Sequence, residues 1–258
     1  AKTYYASKVG IDPSKMVVVS IMPCTAKKYE ARRPEMKSSG YQDVDYVLTT
    51  RELGRLILKN SIDLSILQDS EFDNPLGASS GAADIFANSG GVMEAALRTV
   101  YELVTGRELP SENLHVNNLM NISGVREAAL TFENCKDDFK WLNGVTAKVA
   151  ATSGLKNARE LMNQVRDGKS PYHFIEIMCC PGGCIGGGGQ PRLTTDEIRQ
   201  KRFEAILKED EGKKIRKSHE NCYIDTIYKE FLGEPNSHKA HELLHTHYTK
   251  REIYRLPE

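Results

Sequence analysis

Apolar residues gather in four short runs, at residues 16–22, 44–48, 147–151 and 174–178, each bounded by polar or turn-forming residues. They carry Val, Ile or aromatic side chains and are too short for core helices, which predicts buried strands. Helical periodicity lies between them. Leu53, Leu56 and Ile57 share one face of a helix expected over residues 51–60, with Thr50 as its cap. Residues 91–105 place Val92, Ala95, Ala96, Val100, Leu103 and Val104 at helical spacing. Ser153 is placed to cap a helix over 155–166, with Gly168 past its end. A shorter helix over 1–9 stops at Gly10. Strands alternating with helices of this size predict an α/β fold with largely parallel pairing.

The pattern changes after Pro191. Residues 194–208 and 217–232 read as charged amphipathic helices, followed by a short third one near 238–245. This tail has no strand signal and is expected to wrap the α/β body as a helical extension. The sole compositional island is the glycine run Gly186 to Gly189.

Bulk properties narrow the function classes. The chain has 258 residues, with 35 Lys plus Arg balanced by 35 Asp plus Glu. A net charge of zero argues against a nucleic-acid partner. Scattered aromatic residues offer no stacking platform for single strands. No apolar run approaches the ~20 residues that span a bilayer. The chain opens Ala1-Lys2-Thr3-Tyr4-Tyr5, without a methionine, a basic stretch or an apolar leader. It reads as a helix entered partway, so the chain is expected to begin inside a larger protein, on the cytoplasmic side.

The cysteines carry the first chemical signal. There are six, and three of them (Cys179, Cys180 and Cys184) fall within six residues. Such clustering points to metal or redox chemistry rather than a disulfide scaffold. In the segment Met22-Pro23-Cys24-Thr25-Ala26-Lys27-Lys28-Tyr29-Glu30, a strand ends and Cys24 is expected to open a helix. Free N–H groups would stabilise a thiolate there, and Lys27 and Glu30 follow on the same face. Taken alone, this segment reads somewhat better as a buried strand-end cysteine with surface charges.

The second segment, residues 176–191, again runs a strand straight into cysteines. Pro181-Gly182-Gly183 separates Cys180 from Cys184, which lets the backbone bend tightly beside a bulky inorganic group. The glycine run is expected to present N–H donors to sulfide. No Gly-Lys-Ser/Thr follows it, which excludes a P-loop. Three thiolates on two strand ends suit an iron–sulfur cluster or zinc, although the spacing matches no zinc finger. The fourth ligand is not evident, and Cys135 and Cys222 read as ordinary.

Met-Pro-Cys-x-x-Lys-x-x-Glu at 22–30 and Glu-x-Met-x-Cys-x-x-x-Cys-x-x-Gly-Gly-Gly-Gln-Pro at 176–191 resemble two H-cluster motifs of [FeFe]-hydrogenases. The stretches Gly77 to Gly81 and Gly90 to Glu94, and the helical tail, resemble the same family. The resemblance implies a two-lobed H-cluster fold over residues 1–191, incomplete at its N-terminus, and a small-subunit-like extension over 192–258. It implies reversible interconversion of H2 with protons and electrons at a [4Fe-4S] cluster joined to a di-iron subcluster with CO and CN ligands.

At matching positions, Cys24, Cys180 and Cys184 would ligate the cubane, with Cys184 bridging to the di-iron part. Lys27 would hydrogen-bond a cyanide. Met22 and Met178 would line the carbonyl side, with Phe86 on the same wall and Glu30 in the surrounding polar layer.

Two departures stand out. The family's Thr-Ser-Cys-Cys-Pro-x-Trp motif is absent, so a companion segment or subunit is expected to supply the fourth cysteine, and a ferredoxin-type carrier the electrons. Cys179 stands where the family usually has alanine and reads first as a packing thiol, otherwise as an extra redox or proton-handling group beside the cluster. A cluster sensor or assembly protein without the di-iron centre is the rival from another class. A zinc peptidase built on His241-Glu242-Leu243-Leu244-His245 is the third possibility, weakened by the lack of a downstream third ligand. His238 and His247 read as neighbouring surface groups, and His115, His173 and His219 as structural.

Overall fold

The computed structural model describes residues 1–110 and 124–250. The expectation for His115 lies outside them. In chain order the elements are α1 (Tyr4–Val9), β1 (Val19–Met22), α2 (Lys27–Glu30), β2 (Tyr46–Thr49), α3 (Thr50–Lys59), α4 (Gly81–Asp84) and α5 (Gly91–Thr105). There follow β3 (Val125–Thr131), β4 (Thr146–Ser153), α6 (Leu155–Arg166), β5 (Phe174–Met178), α7 (Asp196–Gly212), α8 (Cys222–Ile227) and α9 (His238–Leu244).

Two small sheets result. β1 and β2 pair in parallel, with Val19 opposite Tyr46 and Met22 opposite Thr49. β4 is central in the other sheet, antiparallel to β3 and parallel to β5. The parallel β4–β5 step needs a crossover, and α6 supplies it. Mixed sheets flanked by helices agree with the expected α/β class. The antiparallel strand β3 was not foreseen.

The main core forms where α5 lies on the three-stranded sheet. Met93, Leu97, Tyr101 and Val104 recur at helical spacing and make one buried stripe. They meet Leu130, Phe132, Val149 and Ala151 of the sheet side, together with Ile185 and Phe203. Phe203 belongs to α7, so the helical tail seals the body's core rather than building one of its own. Asp210 of α7, 1% exposed, accepts two hydrogen bonds from Arg98 of α5, each 2.8 Å long. The tail segment expected as one helix over 217–232 is broken instead. It runs as a 3-10 turn at Ser218–Glu220, then α8, then a π-helical turn at Tyr228–Leu232.

Two caps are corrected. α3 is capped by Thr49, which accepts from the Glu52 N–H while the Glu52 carboxylate accepts from the Thr49 N–H. α6 starts after Gly154, and Ser153 turns its hydroxyl to the Gly182 N–H instead. The two-stranded sheet leaves an apolar row open: Val17, Val19, Ile21 and Tyr46 are 66%, 50%, 49% and 63% exposed. Among the described residues no helix is long and apolar enough to cross a membrane.

Candidate metal centre

β1 delivers the first cysteine. The chain leaves Met22 through Pro23 and Cys24 into α2, which begins only at Lys27 and is four residues long. The expectation that Cys24 opens a helix is therefore corrected: the thiol stands on a turn ahead of a single helical loop. The turn is held from the other side of the site. Gly189 donates its N–H to the Pro23 carbonyl at 2.8 Å. A Cβ at Gly189 would lie 2.8 Å from the Pro23 carbonyl carbon and 3.0 Å from the Cys24 nitrogen, so only glycine permits this approach. Arg51 completes the anchor, its N–H reaching the Gly189 carbonyl and its guanidinium the Gln190 carbonyl.

β5 delivers the second and third. After Met178 the chain makes a tight turn in which the Gly183 N–H returns to the Cys180 carbonyl at 3.0 Å, and Cys184 then opens a 3-10 turn. Gly183 has φ of +96°, and a Cβ there would sit 2.5 Å from the Ser89 nitrogen and 2.8 Å from the Met178 sulfur. Gly186, Gly187 and Gly189 donate to the Gly183, Cys184 and Pro23 carbonyls. Three of the glycine N–H groups expected to face sulfide are thus committed to shaping the loop itself.

The three loops share one electrostatic environment. Cys24, Cys180 and Cys184 are half-buried free thiols. Burial pushes the Cys184 thiol up, the Cys24 and Cys180 thiols beside it push it further, and the Lys27 ammonium pulls it back. Lys27 is held by the Glu30 carboxylate at 2.7 Å. Met22 and Met178 are half-buried at the ends of the two strands. Phe86, 46% exposed, stands on the 3-10 turn Ile85–Ala87, just before Asn88, which bridges to Gly183. Cys179 is exposed, so its reading as a packing thiol is corrected.

This donor set can be tested against the implied cofactor. Among the described residues no three His, Cys, Asp or Glu side chains converge on a single ion. Cys24 and Cys180 nevertheless lie close enough to Cys184 to act on its thiol. Three half-buried soft thiols on two loops joined by the Pro23–Gly189 contact fit a polynuclear iron–sulfur group. Beside Gly183, Asn88 is 1% exposed, and its amide nitrogen and oxygen both lack a partner among the described residues. The residues fit such a cluster. The zinc-peptidase alternative gains nothing: His241 and His245 pack edge to face on each other, with ring centroids 4.5 Å apart. His173 accepts the Lys148 N–H and His219 pairs with Thr99, as structural histidines do.

Fold and site together define an iron–sulfur protein of mixed α/β architecture. Residues 1–188 match the family profile described as iron only hydrogenase large subunit, C-terminal domain, and residues 196–251 match iron hydrogenase small subunit. The chain belongs to the iron-only hydrogenase family. It is 50% identical to the NADP-reducing hydrogenase subunit HndD of Solidesulfovibrio fructosivorans over 98% of this chain and 41% of that one. It superimposes on [FeFe]-hydrogenase HydA1 from Chlamydomonas reinhardtii with a TM-score of 0.79 at 43% identity, covering 96% of this chain and 66% of that one. A cytosolic Fe-S cluster assembly factor, narfl of Danio rerio, is 28% identical over 96% of this chain and 58% of its own. The chain thus spans about two fifths of its hydrogenase relative HndD.

Sequence reasoning missed the buried polar residues behind the site. Arg126 and Glu176 are each 7% exposed, and Ser89 is 2% exposed. The available signal was a single acidic residue inside the apolar run 174–178, since a buried carboxylate needs partners.

Proposed function

We propose that this chain is the cluster-holding C-terminal part of an [FeFe]-hydrogenase that interconverts H2 with two protons and two electrons. Cys24, Cys180 and Cys184 would hold the cubane, with Cys184 as the bridge to the di-iron subcluster. When bound, that H-cluster with its CO and CN ligands supplies the redox chemistry. The protein's part is to hold, orient and shield. Glu30 keeps the Lys27 ammonium in place as a charged donor on the Cys184 side of the site. Met22 and Met178 put apolar, polarisable bulk at the two strand ends, and Phe86 extends that wall, so water is kept from the reacting face.

The observation that carries this reading is the Pro23–Gly189 contact, which brings the Cys24 turn and the Cys180–Cys184 loop, 156 or more residues apart in sequence, to one place. A companion segment or subunit with the fourth cysteine, and a ferredoxin-type electron carrier, belong to the same proposal. The open apolar row of Val17, Val19, Ile21 and Tyr46 supports such a companion. We read residues 1–191 as the cluster body and 192–258 as its extension.

A cubane-only assembly or sensor protein is the second reading, favoured by the likeness to narfl. Met22, Lys27 and Met178 weigh against it, because their proposed role is toward the di-iron part. The test is to mature the chain anaerobically together with a segment supplying the fourth cysteine, then measure H2 evolution from a reduced viologen. H2 production that disappears in Cys184→Ser supports the hydrogenase. Iron and sulfide present without H2 would favour the second reading.

A further inference from the structure

The strand that feeds Cys180 also carries a buried acid with an unusual set of partners. Arg126 of β3 stands opposite Ala151 of β4, and Ala151 stands opposite Glu176 of β5. The three residues form one transverse row across the sheet, and residues directly opposite each other project from the same face. Ala151 is fully buried, so the row is charged at both ends and small in the middle.

Both charged ends grip the segment that precedes α5. One Glu176 oxygen accepts the Gly90 N–H, and the other accepts the Met93 N–H at 2.9 Å. Those N–H groups lie at the start of α5, which has no side-chain cap of its own from Gly90. Arg126 donates to the Ser89 hydroxyl at 2.6 Å and to the Ser89 carbonyl at 3.3 Å. The gripped segment in turn holds the cysteine loop. The Ser89 N–H donates to the Gly182 carbonyl at 3.0 Å, and Asn88 pairs with Gly183 in an antiparallel bridge. A closed circuit results: Glu176, Gly90, Ser89, Gly182, then back through Cys180 and Met178 to Glu176.

We infer that Glu176 and Arg126 are positioning residues for cluster ligation, which fix the Asn88–Gly91 turn against which the Cys180–Cys184 loop is shaped. Neither has a hydrogen bond to a cysteine; both act through Ser89 and Gly90. The circuit explains why charge is spent at this depth. A buried carboxylate and a buried guanidinium are costly unless their hydrogen bonds are made. Here each is bonded to a segment that touches the ligand loop, with the Arg126 Nε left without a partner among the described residues. This inference rests on the proposal that Cys180 and Cys184 hold a cluster.

The test uses the full chain in two states. In the cluster-free reduced chain, alkylation rates are measured at Cys24, Cys180 and Cys184 by peptide mass spectrometry. After anaerobic loading with ferrous iron and sulfide, together with a segment supplying the fourth cysteine, the electron paramagnetic resonance spectrum and midpoint potential are recorded. Glu176→Gln and Arg126→Met are compared with Arg126→Lys and with Leu161→Ala, a cavity variant in α6 that takes no part in the circuit's hydrogen bonds.

Glu176→Gln and Arg126→Met are expected to raise alkylation at Cys180 and Cys184 roughly tenfold, the scale of losing one hydrogen bond to a charged group. Cys24 should change less, and the spectrum should shift or broaden. Arg126→Lys should restore most of the wild-type behaviour, and Leu161→Ala should lower stability without moving either readout. Loss of stability with unchanged cysteine reactivity and spectrum in Glu176→Gln would overturn the inference and leave a structural pair. If the wild-type chain takes up no iron, the cluster proposal fails, while the alkylation pattern still decides whether the circuit shapes the loop.

Discussion

Gly189 and Pro23 meet backbone to backbone, the N–H of one 2.8 Å from the carbonyl of the other. Through this contact the loop after β5 fixes the turn that carries Cys24. The two halves of the candidate site are therefore registered by main-chain atoms, and the side chains around them are free to serve as ligands.

Gly189→Ala tests that registration. Its Cβ would press on the Pro23 carbonyl carbon at 2.8 Å, and the obstruction is backbone, which cannot rotate away. The expected cost is about 1–3 kcal/mol, with iron uptake falling well below wild type while the far-ultraviolet dichroism is kept. Wild-type iron content in a folded Gly189→Ala chain would show that the contact is incidental.

The adjacent cysteines are predicted to behave oppositely. Cys179 is exposed and Cys180 half-buried. In the cluster-free chain Cys179 should alkylate first. Cys179→Ser should load iron normally, whereas Cys180→Ser should lose most of its iron and sulfide by colorimetric assay. Equal loss in both would mean that Cys179 shares in ligation.

Acid stability reports on the tail. Burial would raise the Asp210 carboxyl, but the hydrogen bonds and charges of Arg98 and Arg216 outweigh it and hold it below the usual carboxylate range. A carboxylate depressed in the folded state adds stability above its unfolded value near 3.8, and that stability is lost as pH falls through the folded value. Asp210→Asn, which leaves Arg98 with Glu94 alone and Arg216 without its buried partner, should cost about 1–3 kcal/mol at pH 7. It should also flatten the fall in urea stability below pH 4. An unchanged acid limb would assign that limb to other carboxylates.

Adjacent threonines separate two readings of α3. Thr49 closes a capping box with Glu52, whose carboxyl is pushed down to about 2 by Lys28 and by the Thr49 N–H and hydroxyl. Thr49→Ala should cost about 1 kcal/mol, and Thr50→Ala, just inside the helix, much less. Urea melts of the pair decide it; the reverse order would restore Thr50 as the cap.

What could be read in advance follows from where the forces are local. α5, α6 and β5 fall within the expected bounds because their apolar spacing is carried by consecutive turns or alternate residues. β1 starts three residues later than its apolar run, since the Val18 N–H goes to the Asp45 carboxylate rather than to a strand and Val17 is 66% exposed. β3 escaped notice because one of its two buried members is Arg126, which reads as a surface residue until Ser89 is placed beside it, and Leu130 alone makes no apolar run. The same holds for the site. Cys24, Cys180, Cys184 and Lys27 announce themselves by short spacing. The Pro23–Gly189 and Glu176–Gly90 contacts join residues 166 and 86 apart, and no local pattern encodes them. Caps shifted by one residue: Thr49 displaces Thr50 by closing a local capping box with Glu52, and Ser153 is drawn off α6 by its long-range bond to Gly182.

The central claim is that this chain holds a di-iron subcluster beside its three cysteines. Infrared spectroscopy of the chain, matured anaerobically together with a segment supplying the fourth cysteine, tests it most directly. The account predicts sharp bands from metal-bound carbonyl and cyanide, with the cyanide bands displaced in Lys27→Met. Iron and sulfide at cubane stoichiometry without any such band would contradict it and point to a cubane-only protein.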